Sequence, residues 1–276
     1  MTSTLTAPAR ASRAGAASRA ARGTTLLGVL GFATFLALLE VIPRSGLVSP
    51  DYLPPLSRIG VALAELTGEA GFWTAIVDTV QGWFLGLAIA VAAGIAAGFV
   101  IGTIPVLREF TASTIEFLRP IPSVALIPLA VLVFGSELRS VLLLVVYAAF
   151  WQVLLQVLYG VQDVDPVAQE TARTFGLNRW ARIRHVTWPT ALPYVLTGVR
   201  LAAAVALILA ITAELIIGAP GLGNEIGVAQ SGGAVARMYA LVIVTGLLGV
   251  VVNVLARWLE RRLLSWHSSL RREVAA

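Results

Sequence analysis

D-V-D-P-V-A-Q-E-T-A-R-T-F-G-L-N-R-W-A-R-I-R-H-V-T-W-P-T-A-L-P, residues 163–193, is a polar, arginine-bearing interruption in a chain that is otherwise mostly apolar. Asp165 can accept from free backbone N–H groups, and Pro166 suits the first helical position, where its missing donor costs nothing. A short helix is predicted to start there. Gly176 can take the left-handed conformation that stops a helix, and Asn178 can cap a second helix running toward Val186. Pro189 and Pro193 mark the entry into the next apolar run. The stretch therefore reads as helix, glycine turn and helix, carrying Arg173, Arg179, Arg182 and Arg184 between two membrane spans.

Composition gives the setting. Of 276 residues, 58% are hydrophobic and 13% charged, and the mean hydropathy is +0.85, values of the polytopic membrane class. The length admits about six spans of ~20 residues and no further soluble catalytic domain. With no cysteine, disulfides, thiolate nucleophiles and cysteine metal sites are excluded. All 20 cationic side chains are arginine, so the phosphate-gripping G-x-x-x-x-G-K-[ST] loop is absent. Any ATP hydrolysis belongs to another polypeptide, and this chain is not an enzyme. The pI near 10.4 is read as arginine-rich ends, not as nucleic-acid binding.

Working outward, residues 1–23 are expected to be a disordered basic cytoplasmic tail, and Thr24–Val41 a retained signal-anchor span without an A-x-A cleavage site. Residues 42–71 form a loop with a short amphipathic helix near Leu56–Leu66. The second span covers about Phe72–Ile104, where Gly82, Gly86, Ala90, Gly94, Gly98 and Gly102 recur every four residues and allow close helix approach. A helix bearing Glu109, Glu116 and Arg119 follows. Pro120 and Pro122 then interrupt it, and Ile121–Phe134 is short for a complete span: either the helix is kinked at the prolines or the polar helix enters the membrane against protein. Val141–Tyr159, Leu192–Ile217 and Met238–Leu255 are the remaining spans, and 263–276 is a basic cytoplasmic tail. In this layout fourteen arginines fall inside and four (Arg44, Arg58, Arg139 and Arg237) outside, as the positive-inside rule requires.

Glu170, Ala172 and Gly176, with Val186, Trp188 and Pro189, match the spacing E-A-A, three residues, G, nine residues, I-x-L-P of the permease subunits of ATP-binding-cassette importers. Thr171 replaces an alanine, Val186 an isoleucine and Trp188 a leucine. Arg119-Pro-Ile-Pro-Ser-Val-Ala-Leu-Ile-Pro-Leu and Ala213-Glu-Leu-Ile-Ile-Gly-Ala-Pro-Gly-Leu-Gly resemble the nitrate, sulfonate and taurine branch. The resemblance implies an all-α membrane protein of six transmembrane helices, the type I importer permease fold, spanning residues 24–262 with its coupling loop at 163–189. It also implies a bacterial inner-membrane location with both termini cytoplasmic. Implied partners are a second permease copy as homodimer, two cytoplasmic ATP-binding subunits carrying ATP and Mg, an extracytoplasmic substrate-binding protein and membrane lipid. The implied task is passage of a small anion such as nitrate, an aliphatic sulfonate or taurine. An ion-coupled secondary transporter, which needs paired intramembrane acids, a permease for a different small solute and a noncatalytic scaffold are the rivals.

Two groups of candidate residues follow. Glu170, Thr171, Ala172, Arg173, Gly176 and Pro189 are the coupling set, with Glu170 placed to pair with an arginine on a docked partner or, more plainly, with Arg173 at i+3. Arg119, Pro120, Pro122, Ser123, Arg200 and Glu214 are the translocation set. Arg119 and Arg200 lie at or inside apolar limits, where they either snorkel, Arg119 with Glu116 as partner, or line a water-filled anion path. Glu214 reads as part of an outer gate or as an interfacial carboxylate. His185 and His267 have no clustered ligands, so no metal and no cofactor is expected in the chain.

Overall fold

The computed structural model of the chain describes residues 10–264, with side chains from residue 27 onward. The regular elements among the described residues are all helices, in two compact units that divide between Ala64 and Glu65. In the first unit α1 (Arg10–Arg44) runs through Pro43. It begins well inside the segment expected to be disordered, because that segment is rich in alanine, the best helix former, and extends a helix that the apolar run already nucleates. The carboxylate of Glu40 pairs with Arg44 and accepts from the Ser57 N–H at 2.9 Å. This acid, near the end of the first apolar run, thus caps the start of α2 (Leu56–Thr67). The basic tail from residue 265 lies outside the described residues.

The second unit is built on α3 (Ala70–Thr103), α4 (Pro105–Leu118), α5 (Ile127–Phe134), α6 (Leu138–Gln162), α7 (Pro166–Thr174), α8 (Arg179–Arg182), α9 (Trp188–Ile217), α10 (Leu222–Ser231) and α11 (Val235–Leu263). A Cβ added at Gly86, Gly94, Gly98 or Gly102 would come within 3.0 Å of Val145, Val153, Val157 or Val161 respectively. The glycine groove of α3 therefore receives a valine ridge of α6 with the same four-residue period, which is how i±4 rows interdigitate. Both numberings rise together, so α3 and α6 are parallel.

Parallel neighbours force the chain between them to cross back. That return is the broken segment: α4, a gap, a 3₁₀ turn (Ser123–Leu126) and α5, with a bend of 81° between the two halves. The prolines kink it, as one of the two sequence readings held. Tyr147 on α6 donates to the Leu118 carbonyl at 2.7 Å and pins the break. Gly160 on α6 meets Ala191 and Tyr194, and Gly198 on α9 meets Gln156 and Val153, so α9 runs antiparallel to α6. Leu207 beside Gly249 and Arg200 paired with Glu260 at 3.4 Å make α11 antiparallel to α9. The core between α3, α6 and α9 is small and aliphatic, with Ala90, Ala149, Val153, Ala206 and Ala210 buried. Among the described residues, five helices are long and apolar enough to cross a membrane, or six when the bent pair is taken as one span.

Candidate functional site

The packing directions put the loop between α6 and α9 at one end of the second unit, together with Arg108, Arg257, Arg261 and Arg262, while Arg139 and Arg237 lie at the other. Within the loop, the Asp165 carboxylate accepts from the Val167 N–H at 2.8 Å and starts α7 as predicted. The helix ends in two bonds, Leu177 N–H to Ala172 O and Gly176 N–H to Arg173 O, both 3.0 Å, around Gly176 at φ +74°. This paired closure needs a left-handed residue, which is why glycine stands there. Asn178 caps α8 through the Ala181 N–H at 2.8 Å. The second helix does not stop near Val186: a π turn (Ile183–Thr187) joins α8 to α9 ahead of Pro189, which has no N–H to give the regular ladder.

Two of the three substitutions in the pattern, Thr171 and Trp188, have local explanations. Ala172 is buried, whereas Thr171 is exposed and its hydroxyl donates to the Val167 carbonyl. Trp188 stacks on Phe99 with ring centroids 5.3 Å apart, so the bulkier indole has a seat on α3. Glu170 and Arg173 are exposed and form no ion pair with each other. Beside them Phe175 and Trp180, 78% and 71% exposed, are large apolar groups on a polar loop. Sequence reading passed over both aromatics, although two large apolar residues inside an arginine-rich loop are a visible signal.

The translocation set does not converge. Arg119 caps the C-terminus of α4 at the break, exposed, with its N–H on the Ile115 carbonyl and no ion pair to Glu116. Pro120, Pro122 and the partly buried Ser123 lie beside it. Arg200 is elsewhere, bridging α9 to Glu260 of α11; the lone acid in a basic stretch was its missed partner. Glu214 is buried within the chain, 1% exposed. Its Oε2 accepts from Thr79 Oγ1 at 2.8 Å and from the Gly223 N–H at 3.0 Å, and Thr79 Oγ1 accepts from the Leu222 N–H at 2.8 Å. A Cβ at Gly221 would collide with the Glu214 carboxyl group. The glycines of residues 218–223 thus wrap the loop around one carboxyl group and tie α3, α9 and α10 together. Arg237 donates twice to Glu69, at 2.7 and 2.8 Å, and holds that carboxyl below its ordinary range. Among the described residues, no group of three or more His, Asp or Glu could hold a metal.

Parallel long helices with a broken return, and a capped helix turned out on an arginine-rich end, make a polytopic helical bundle. Residues 90–265 match the family model described as binding-protein-dependent transport system inner membrane component, and the chain belongs to that family. It is 32% identical over 87% of its length to the taurine transport system permease protein TauC of Escherichia coli (strain K12), covering 90% of that protein. To the aliphatic sulfonates transport permease protein SsuC of Bacillus subtilis (strain 168) it is 31% identical, over 88% of each chain. Among solved structures, a bacterial ABC transporter involved in the import of the acidic polysaccharide alginate superposes with a TM-score of 0.61, at 16% identity, over 88% of this chain and 98% of that one. The protein is therefore an ABC importer permease, a multi-pass inner membrane protein, and ATP binding resides on a partner ATPase.

Proposed function

We infer that this permease passes a small solute bearing an oxyanion group, an aliphatic sulfonate such as taurine or else nitrate. The similarity to a taurine and to an aliphatic sulfonate permease supports that substrate class. The observation that carries the mechanism is the exposed surface of α7 and α8, where Glu170 on α7, Phe175 at its C-terminal cap and Trp180 on α8 stand uncovered. In this reading the coupling residues are Glu170, Thr171, Ala172, Arg173, Gly176 and Pro189. They dock on two cytoplasmic ATPase subunits, a second copy of the chain completes the path, and an extracytoplasmic binding protein delivers the anion. Both termini and the arginine-rich end face the cytoplasm.

Arg119, Pro120, Pro122 and Ser123 line the passage at the break. The 3₁₀ turn begins a half-helix whose free N–H groups and positive dipole end favour an anion, and Arg119 adds a full charge. Arg200 and Glu214 serve instead to hold helices together. The test is Arg119→Gln reconstituted with its ATPase and binding protein. Losing one charged donor should lower taurine or sulfonate uptake about ten-fold, with expression and basal ATPase rate preserved. Unchanged uptake would leave Arg119 an interfacial anchor.

A further inference from the structure

We propose that a cavity on the arginine-rich end, separate from the transport path, is a binding site for the phosphate oxyanion of an anionic membrane phospholipid. The cavity, about 490 Å³, lies among the ends of α3 and α6, the start of α4, and α7 and α8. Arg108, Arg179 and Arg182 line it with Gln162 and Gln169, and its lining contains no Asp or Glu. None of the three arginines has an ion pair or side-chain hydrogen bond among the described residues. Arg182 Nε is also buried without an acceptor. A guanidinium donor cut off from water needs an acceptor, and three uncompensated charges facing one space need an anion.

Depth selects the source of that anion. Gly102 and Val161, the last pair of the α3–α6 zipper, form part of the wall, so the cavity opens where the apolar helices end, at headgroup level. Ile104, Val164, Ile183 and Val186 supply apolar wall for the glycerol and first methylenes of a lipid. Basic pockets of this kind between transmembrane helices bind anionic headgroups. A carboxylate on a docked ATPase is disfavoured, because the surface that α7 and the turn after it turn outward carries Glu170 and Phe175, whereas Arg182 Nε is shut away from solvent.

The experiment is native mass spectrometry of the full-length permease with its ATPase, given phosphatidylglycerol, phosphatidylcholine or inorganic phosphate. Wild type should retain phosphatidylglycerol over phosphatidylcholine. Removing two cavity charges in Arg108→Gln/Arg182→Gln should weaken that retention about thirty-fold, while Arg184→Gln, outside the cavity lining, should not. Equal retention of the two lipids, or retention indifferent to the double substitution, would overturn the site. Binding of inorganic phosphate without phosphatidylglycerol would overturn the lipid as its source. Loss of the ATPase subunit from the double variant, with lipid retention unchanged, would reassign the arginines to a partner's carboxylates.

Discussion

Glu214 shows how one side chain can fix a loop inside a membrane protein. Its carboxyl group is surrounded by donors: the Thr79 hydroxyl and the Gly223 N–H on one oxygen, with the Leu222 N–H satisfied by Thr79 in turn. Truncation to alanine would leave a buried hydroxyl and a buried N–H without an acceptor, at about 1–3 kcal/mol for each group left unpaired. Glu214→Ala should therefore lower the detergent melting temperature clearly, whereas Glu214→Gln, which keeps a carbonyl acceptor in place, should cost less. Equal melting temperatures for wild type and Glu214→Ala would show that the network does not hold the loop. Glu214 was legible as a residue needing explanation, because a carboxylate in an apolar run is conspicuous. Its explanation was not legible, since Thr79 is 135 positions away in sequence and nothing in local periodicity joins the two. Arg200 and Glu260, 60 positions apart, follow the same rule.

At the scale of elements, the caps of α7 and α8 were readable from sequence because capping is local: the bonds at Asp165, Gly176 and Asn178 span only two to five residues. Gly176 carries the consequence. At φ +74° a β-branched residue is strained by roughly 1–3 kcal/mol, so Gly176→Val should loosen the turn between α7 and α8. Transport and ATPase stimulation should fall together while membrane insertion persists, measured in proteoliposomes with the ATPase present. Glu170→Arg, which reverses the exposed charge on α7, should give the same pairing of losses. Normal ATPase stimulation in both variants would reduce the loop to a topology signal. The bend at the third span was half legible. Two prolines announced a break, but the 81° angle depends on α4 having no buried residue of its own and on Tyr147 holding the Leu118 carbonyl from a different helix.

For the whole molecule, the glycine period of α3 announced a close neighbour without saying which helix or in which direction. The valine period of α6 is its complement, and only the two together give a parallel pair. That direction fixes which arginines share an end, and so makes topology testable. Reporter fusions after Asn178 and Arg262 should score cytoplasmic, and a fusion after Gly223 external. An external signal at Asn178 would remove the docking role of α7, since a cytoplasmic ATPase could not reach it.

The parallel zipper also sets a timetable for synthesis. α3 leaves the ribosome with a strip of bare glycine backbone, and its valine partner follows about sixty residues later, after the kinked return has been threaded. At roughly 5–20 residues per second, the strip spends several seconds in lipid with no helix seated in it. A bulky side chain introduced at Gly94 or Gly98 would therefore act first on the newborn chain, which would offer α6 no seat when it arrived, and quality-control proteases would meet the unpaired helix before any mature transporter existed.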